Sequence, residues 1–107
     1  MATNSLDKNT NVNLIAEKFQ ELCKQGDLDA IKKFMFNNTI DINLSTFGFT
    51  PLHIAACYGH VKLAKLLLLH GANIDTTTGL AKKTAADIAQ DFGEIYLAKL
   101  LRLYHIH

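Results

Sequence analysis

Between residues 61 and 70 the chain reads Val-Lys-Leu-Ala-Lys-Leu-Leu-Leu-Leu-His, with apolar side chains at 61, 63, 64, 66, 67, 68 and 69. A helix apolar over most of its circumference must be covered on more than one side. The stretch before it, "TPLHIAACY" at 50–58, is a second apolar segment of about two turns, and Gly59 separates the two. Thr50 suits an N-cap, because its hydroxyl accepts from an otherwise unpaired backbone N–H. Pro51 then takes the first helical position, where a missing N–H costs nothing. Gly71 follows the second apolar run and predicts a stop in the left-handed conformation. The pattern predicts a helical hairpin over 50–71.

The same pattern recurs. Gly26, Gly59 and Gly93 are 33 and 34 residues apart, and after them come "GDLDAIKKFM", "GHVKLAKLLL" and "GEIYLAKLLR". Leu28, Val61 and Ile95 share one slot, and Lys32, Lys65 and Lys99 another. Thr84 and Asp87 form a Thr-x-x-Asp capping pattern at the place of Thr50. Asn38 aligns with Gly71, and of the non-glycine residues Asn tolerates the left-handed conformation best, so it is expected to adopt it. His105 aligns there in the last unit. One helix pair buries too little to offset its ordering entropy; stacked neighbours supply the missing core.

Composition narrows the reading. The chain has 107 residues, 49 % apolar and 20 % charged, with a net charge of +1. A near-neutral chain is not drawn as a whole to nucleic acid or to an anionic membrane. Ten of eleven basic residues are Lys, with Arg102 the exception, whereas base and phosphate recognition leans on Arg. Cys23 and Cys57 lack zinc spacing and read as reduced thiols, which suits a cytoplasmic location. The polar opening "MATNSLDKNTNVN" has no apolar signal-peptide core, and residues 1–13 read as a flexible polar arm.

A period of 33 with "TPLHIAA", "GH" and "LLLLHGANID" resembles the ankyrin repeat. The resemblance implies an all-α solenoid of three helix-turn-helix units joined by hairpin loops. An N-terminal capping repeat is expected at 14–42, a central repeat at 43–75, and a C-terminal capping repeat with tail at 76–107. The third unit departs from the pattern with Ala-Ala-Asp for Pro-Leu-His. Glu21 and Lys33 replace Ile54 and Leu66 of the middle unit, and Tyr96 and Arg102 replace residues in the second helix of the last unit, as befits two ends of a stack. Thr50, Pro51, His53, Gly59, Gly71, Thr84 and Gly93 are then structural, with His53 bonding between neighbouring loops.

Ankyrin-like proteins bind other proteins, so the resemblance implies a protein partner, no cofactor and no catalysis. The binding face would be concave, built from the tips "STFGFT" and "TTTGLAKKT" and the outer side of each first helix. Phe47 and Phe49 on one tip are expected to join Tyr58 and Phe92, aligned one repeat apart and about 10 Å from each other in packed helices. Together the four would form an apolar patch. Cys57 and Asp91 flank them, and Lys82 and Lys83 add a positive rim. No metal site, nucleic-acid partner or membrane partner is expected. The favoured reading is a stand-alone binder acting as inhibitor, adaptor or targeting factor. A homo-oligomer built through the aromatic face is the alternative. The Lys-, Asn- and Ile-rich composition keeps open a bacterial effector delivered into a host cell. An enzyme using Cys57 and His53, four residues apart on one helix face, is the remaining reading.

Overall fold

The computed structural model describes the backbone of residues 3–106 and the side chains of residues 14–104. Its helices are α1 (Thr3–Gln25), α2 (Leu28–Asn37), α3 (Pro51–Tyr58), α4 (Val61–Leu69), α5 (Ala85–Asp91) and α6 (Ile95–Ile106). They pair as α1/α2, α3/α4 and α5/α6, and the described residues contain no β-strand, only an isolated bridge between Thr46 and Phe49.

Each hairpin turns at a glycine in the left-handed region, Gly26 at φ 72°, Gly59 at 71° and Gly93 at 78°. The helix starts follow capping chemistry. The Thr50 hydroxyl accepts from His53 N–H and the Thr84 hydroxyl from Asp87 N–H, and in each case the other side chain returns a bond to the cap backbone. In the first unit the Asp27 carboxylate caps α2 by accepting from Ala30 N–H at 3.2 Å.

The stack is held mainly through its first helices: α3 packs on α1 and on α5, while successive second helices touch less. Small side chains explain the close approach, since Ala55, Ala56, Ala85, Ala86 and Ala89 are all buried. The second helices close the other side of the core. Leu63, Ala64 and Leu67 of α4 are fully buried, as are Leu97, Ala98 and Leu101 in the matching slots of α6. The first unit fills its share with larger groups, Phe19 stacked on Phe34 at 6.2 Å and the buried Cys23 and Ile31.

The outer face of the third unit is polar. Where the middle unit has buried His53, Ala56 and Leu68, the third has Asp87, Gln90 and Arg102. Arg102 Nη1 donates to Gln90 Oε1 at 3.0 Å, and Nη2 lies 3.6 Å from the Asp87 carboxylate.

Two local expectations differ from the structure. α1 begins at Thr3, so the stretch expected as an arm over 1–13 is helical from that residue onward. Docking of Phe19 and Cys23 supplies a nucleus, and each further residue then adds a helical bond at little cost. Asn38 is extended (φ −138°, ψ 148°), not left-handed. Its side-chain Nδ2 donates to Phe34 O at 2.9 Å, and so satisfies by side chain a carbonyl that a left-handed cap satisfies by backbone.

Candidate functional site

The first hairpin tip is a tight turn. Thr46 and Phe49 exchange backbone hydrogen bonds of 2.8 and 3.1 Å across Phe47 and Gly48. Both central residues have positive φ, 55° for Phe47 and 85° for Gly48. This two-residue loop is of the mirror-image type that selects Asn-Gly or Asp-Gly, because both centres must sit left-handed. A bulky aromatic there is a conformational outlier. Phe47 is nonetheless 85 % exposed, so core packing does not compensate for the strain.

The tip is seated from below and from the side. Buried Gln20 of α1 donates through Nε2 to Phe49 O at 2.7 Å. Phe47 and Thr46 flank a shallow cleft against Glu17, Gln20, Glu21 and Lys24 on the outer side of α1. The second tip abuts the first, with Gly79 N–H donating to Gly48 O at 3.2 Å. That tip is a four-residue loop closed by Thr78 N–H to Lys83 O and by Lys83 N–H to the Thr78 hydroxyl. Leu80 at its apex is completely exposed, and Lys82 sits left-handed at φ 55°.

The other aromatics each have their own surroundings. Phe49 is only partly exposed, its ring edge-on to the His53 imidazole at 6.4 Å. Tyr58, half exposed, stacks on the His60 ring at 5.9 Å. Phe92 is exposed at the end of α5. The rings of Phe49 and Tyr58 thus lie on imidazoles. The positive rim is reduced. Lys83 pairs with Asp91, which ties the tip to α5 and pushes the lysine pKa up. Lys82 remains as the exposed cation of that tip. Asp87 is held below the usual carboxylate range, first by the Thr84 backbone N–H it accepts.

His53 bridges two units. Thr50 N–H donates to Nδ1 at 3.0 Å, and Nε2–H donates to Thr76 O at 2.8 Å, at the base of the second tip. A carbonyl only accepts, so the ring carries its proton on Nε2. Burial lowers its pKa. Cys57 is half-buried, and burial raises its thiol pKa. With both imidazole nitrogens engaged and the thiol kept protonated, the pair lacks the arrangement that activates a nucleophile. Among the described residues no group of three His, Cys, Asp or Glu is placed to hold a metal, and no helix is long and apolar enough to cross a membrane.

The repeat pattern does not disclose what several positioning residues do. Asn43 joins neighbouring loops, donating to Gly71 O at 3.0 Å and accepting from Asn73 N–H at 2.7 Å. His60 Nε2 donates to Lys24 O at 2.7 Å. Gln20 carries no local signal, and Leu80 only a weak one. The available signal for Leu80 was its place beside a tip glycine, as Phe47 stands beside Gly48.

Stacked helix pairs with capped starts, glycine turns and abutting tips define a helical-repeat solenoid. The family profile for ankyrin repeats, in three copies, matches residues 19–107, and this chain belongs to the ankyrin-repeat family. Relatives share the repeat region. The probable palmitoyltransferase AKR2 of Saccharomyces uvarum is 32 % identical over 81 residues, which cover 75 % of this chain and 11 % of that protein. Delta-latroinsectotoxin-Lt1a of Latrodectus tredecimguttatus is 46 % identical over 50 residues, covering 46 % of this chain and 4 % of the toxin. BTB/POZ domain-containing protein 3 of Schizosaccharomyces pombe is 36 % identical over 59 residues, 54 % of this chain and 11 % of its own length. The chain therefore spans about a tenth or less of these relatives, and the similarity reaches them through their repeats. The ankyrin repeat is a non-catalytic fold that generally mediates protein–protein interaction.

Proposed function

We propose that this chain binds a protein partner on the side formed by the hairpin tips and the outer faces of the first helices, with Phe47 as the principal anchor. The observation that carries the reading is Phe47 itself: an exposed aromatic kept in a left-handed turn position that Asn or Gly would fill with less strain. Strain held where it contributes nothing to packing points toward function, and exposed aromatics are characteristic binding anchors. Leu80 on the abutting tip, with Tyr58 and Phe92 at the ends of α3 and α5, extends the contact. Glu17 and Glu21 on one flank and Lys82 on the other supply rim charges, which govern on-rate more than affinity. In this reading the protein is an inhibitor, adaptor or targeting factor working in the cytoplasm.

The test is affinity capture from native lysate with mass spectrometry, comparing wild type with a Phe47→Ala, Tyr58→Ala variant shown by circular dichroism to be folded. Truncating an anchor costs about 2 kcal/mol, roughly thirtyfold in affinity. The expected result is one stoichiometric partner lost with the variant. Retention of that partner places binding elsewhere and overturns the reading.

A further inference from the structure

The second helices carry a surface pattern that the tip side does not use. Phe36, Leu69 and Leu103 occupy the same slot in α2, α4 and α6, 33 and 34 residues apart. They are 90 %, 82 % and 60 % exposed. Lys32, Lys65 and Lys99 precede them by four residues, and Asp29, Lys62 and Tyr96 by seven. All six of these are exposed, and positions i, i+3 and i+7 fall on one helix face. Single exposed apolar residues are ordinary. Three in one register, aligned along a stack, form a stripe.

Charge decides what the stripe suits. Asp29 is the one carboxylate in the three second helices, against Lys32, Lys33, Lys62, Lys65, Lys99 and Arg102. Among the described residues none of these five lysines has an ion-pair partner, and Arg102 is turned to Asp87. Beside Phe36 a cleft of about 550 Å³ opens between the first two units, lined by Lys32, Met35, Phe36, Asp41, Ile42 and His70 among others.

We infer that this outward face of α2, α4 and α6 is a second interaction surface, for an acidic amphipathic helix of a partner protein lying along the stack. Spacing favours a helix. The first helices pack directly on one another, which sets a spacing of about 10 Å between successive units, and seven residues of an α-helix advance about 10.5 Å. A partner helix with an apolar residue every seven therefore meets Phe36, Leu69 and Leu103 in turn, its carboxylates falling opposite the lysine column. One of its apolar side chains enters the cleft beside Phe36. An anionic bilayer would also attract lysines, but interfacial binding wants a continuous apolar face. Here the apolar stripe is only one residue wide in each helix and runs beside the lysine column.

The probe is a labelled helical peptide of about three heptads, with Leu at the a and d positions and Glu and Ala elsewhere, titrated with the full chain by fluorescence anisotropy. A Lys-for-Glu peptide and phosphatidylcholine/phosphatidylserine vesicles are the comparison arms. The acidic peptide is expected to bind in the micromolar range and to weaken as salt rises from about 0.05 to about 0.3 M. The variant Phe36→Ser, Leu69→Ser, Leu103→Ser is expected to lose at least about tenfold, as one anchor of about 1.4 kcal/mol would give. Lys32→Gln, Lys65→Gln, Lys99→Gln should flatten the salt dependence, which serves as the second readout if the serine variant is unfolded. The Phe47→Ala, Tyr58→Ala variant should bind the peptide undiminished, so this face and the tip side fail separately. Equal binding of the Lys peptide, or full binding by both stripe variants, overturns the inference. Binding of vesicles without binding of the acidic peptide also overturns it, in favour of a membrane surface.

Discussion

The imidazole of His60 lies against the α-carbon of Gly26. A methyl group added at Gly26 would stand 2.7 Å from His60 Cε1, and the ring is held there by its bond to Lys24 O. The turn glycine of the first unit thus serves twice, in its left-handed backbone at φ 72° and as the floor on which the next unit rests. Glu94 repeats the contact on Gly59, where an added methyl group would meet its carboxylate at 2.5–2.6 Å. Gly93 has nothing within 4 Å of such a methyl group.

This contrast predicts the order of alanine substitutions. Gly93→Ala meets only the left-handed strain and should cost about 1–2 kcal/mol. Gly26→Ala must also displace the His60 ring and its hydrogen bond, adding about 1 kcal/mol. In a His60→Ala background the extra cost of Gly26→Ala should vanish. Urea denaturation of the four proteins of that cycle checks it, and additivity within experimental error would contradict the contact.

Phe47 should trade stability for binding. Phe47→Asn places a residue that tolerates positive φ in the turn and removes an exposed aromatic with no packing role. It is expected to raise stability by about 1 kcal/mol while weakening the captured partner. A rise in the denaturation midpoint together with a loss of capture is the expected pair of results.

His53 makes the stack acid-sensitive. Its folded pKa lies below the ordinary value of 6.5 because burial disfavours the cation, with the bond to Thr76 O opposing in part. The unfolded chain therefore takes up the proton first. The contribution is fully present above about pH 6.5 and falls as pH drops from there toward the folded pKa. A proton on Nδ1 would also face the Thr50 N–H that now donates to it. Denaturation midpoints between pH 7.5 and about 5 should decline in the wild type. The decline should be shallower in His53→Gln, which starts from a lower value.

The two thiols should react in sequence. Cys23 is fully buried and its pKa is pushed up to about 12. Cys57 is half-buried and raised less decisively. Because the thiolate is the reactive form, a thiol reagent at pH 8 should label Cys57 slowly and Cys23 only on unfolding. The rate of Cys23 labelling then reports global opening of the first unit. Mass spectrometry after timed quenching separates the two sites.

The repeat register, the turn glycines, the two threonine caps and the second-helix lysine column were all legible along the chain. Each rests on contacts within about four residues, where residue type and spacing decide the outcome. What followed from contacts far apart in sequence was not legible. The bonds from His60 to Lys24 O, Asn43 to the Gly71 loop and Gln20 to Phe49 O span 28 to 36 residues. Lys83 was read as a free rim charge, yet the second tip folds back so that it meets Asp91 on α5. Nothing along the chain shows that the rings of Phe49 and Tyr58 settle on His53 and His60. Helix periodicity and capping chemistry were therefore enough to determine three stacked helical hairpins, and the resemblance of the motifs supplied their ankyrin kind. Only the tertiary structure decided which side chains stand clear of them, because exposure at a tip depends on how one loop lies on the next.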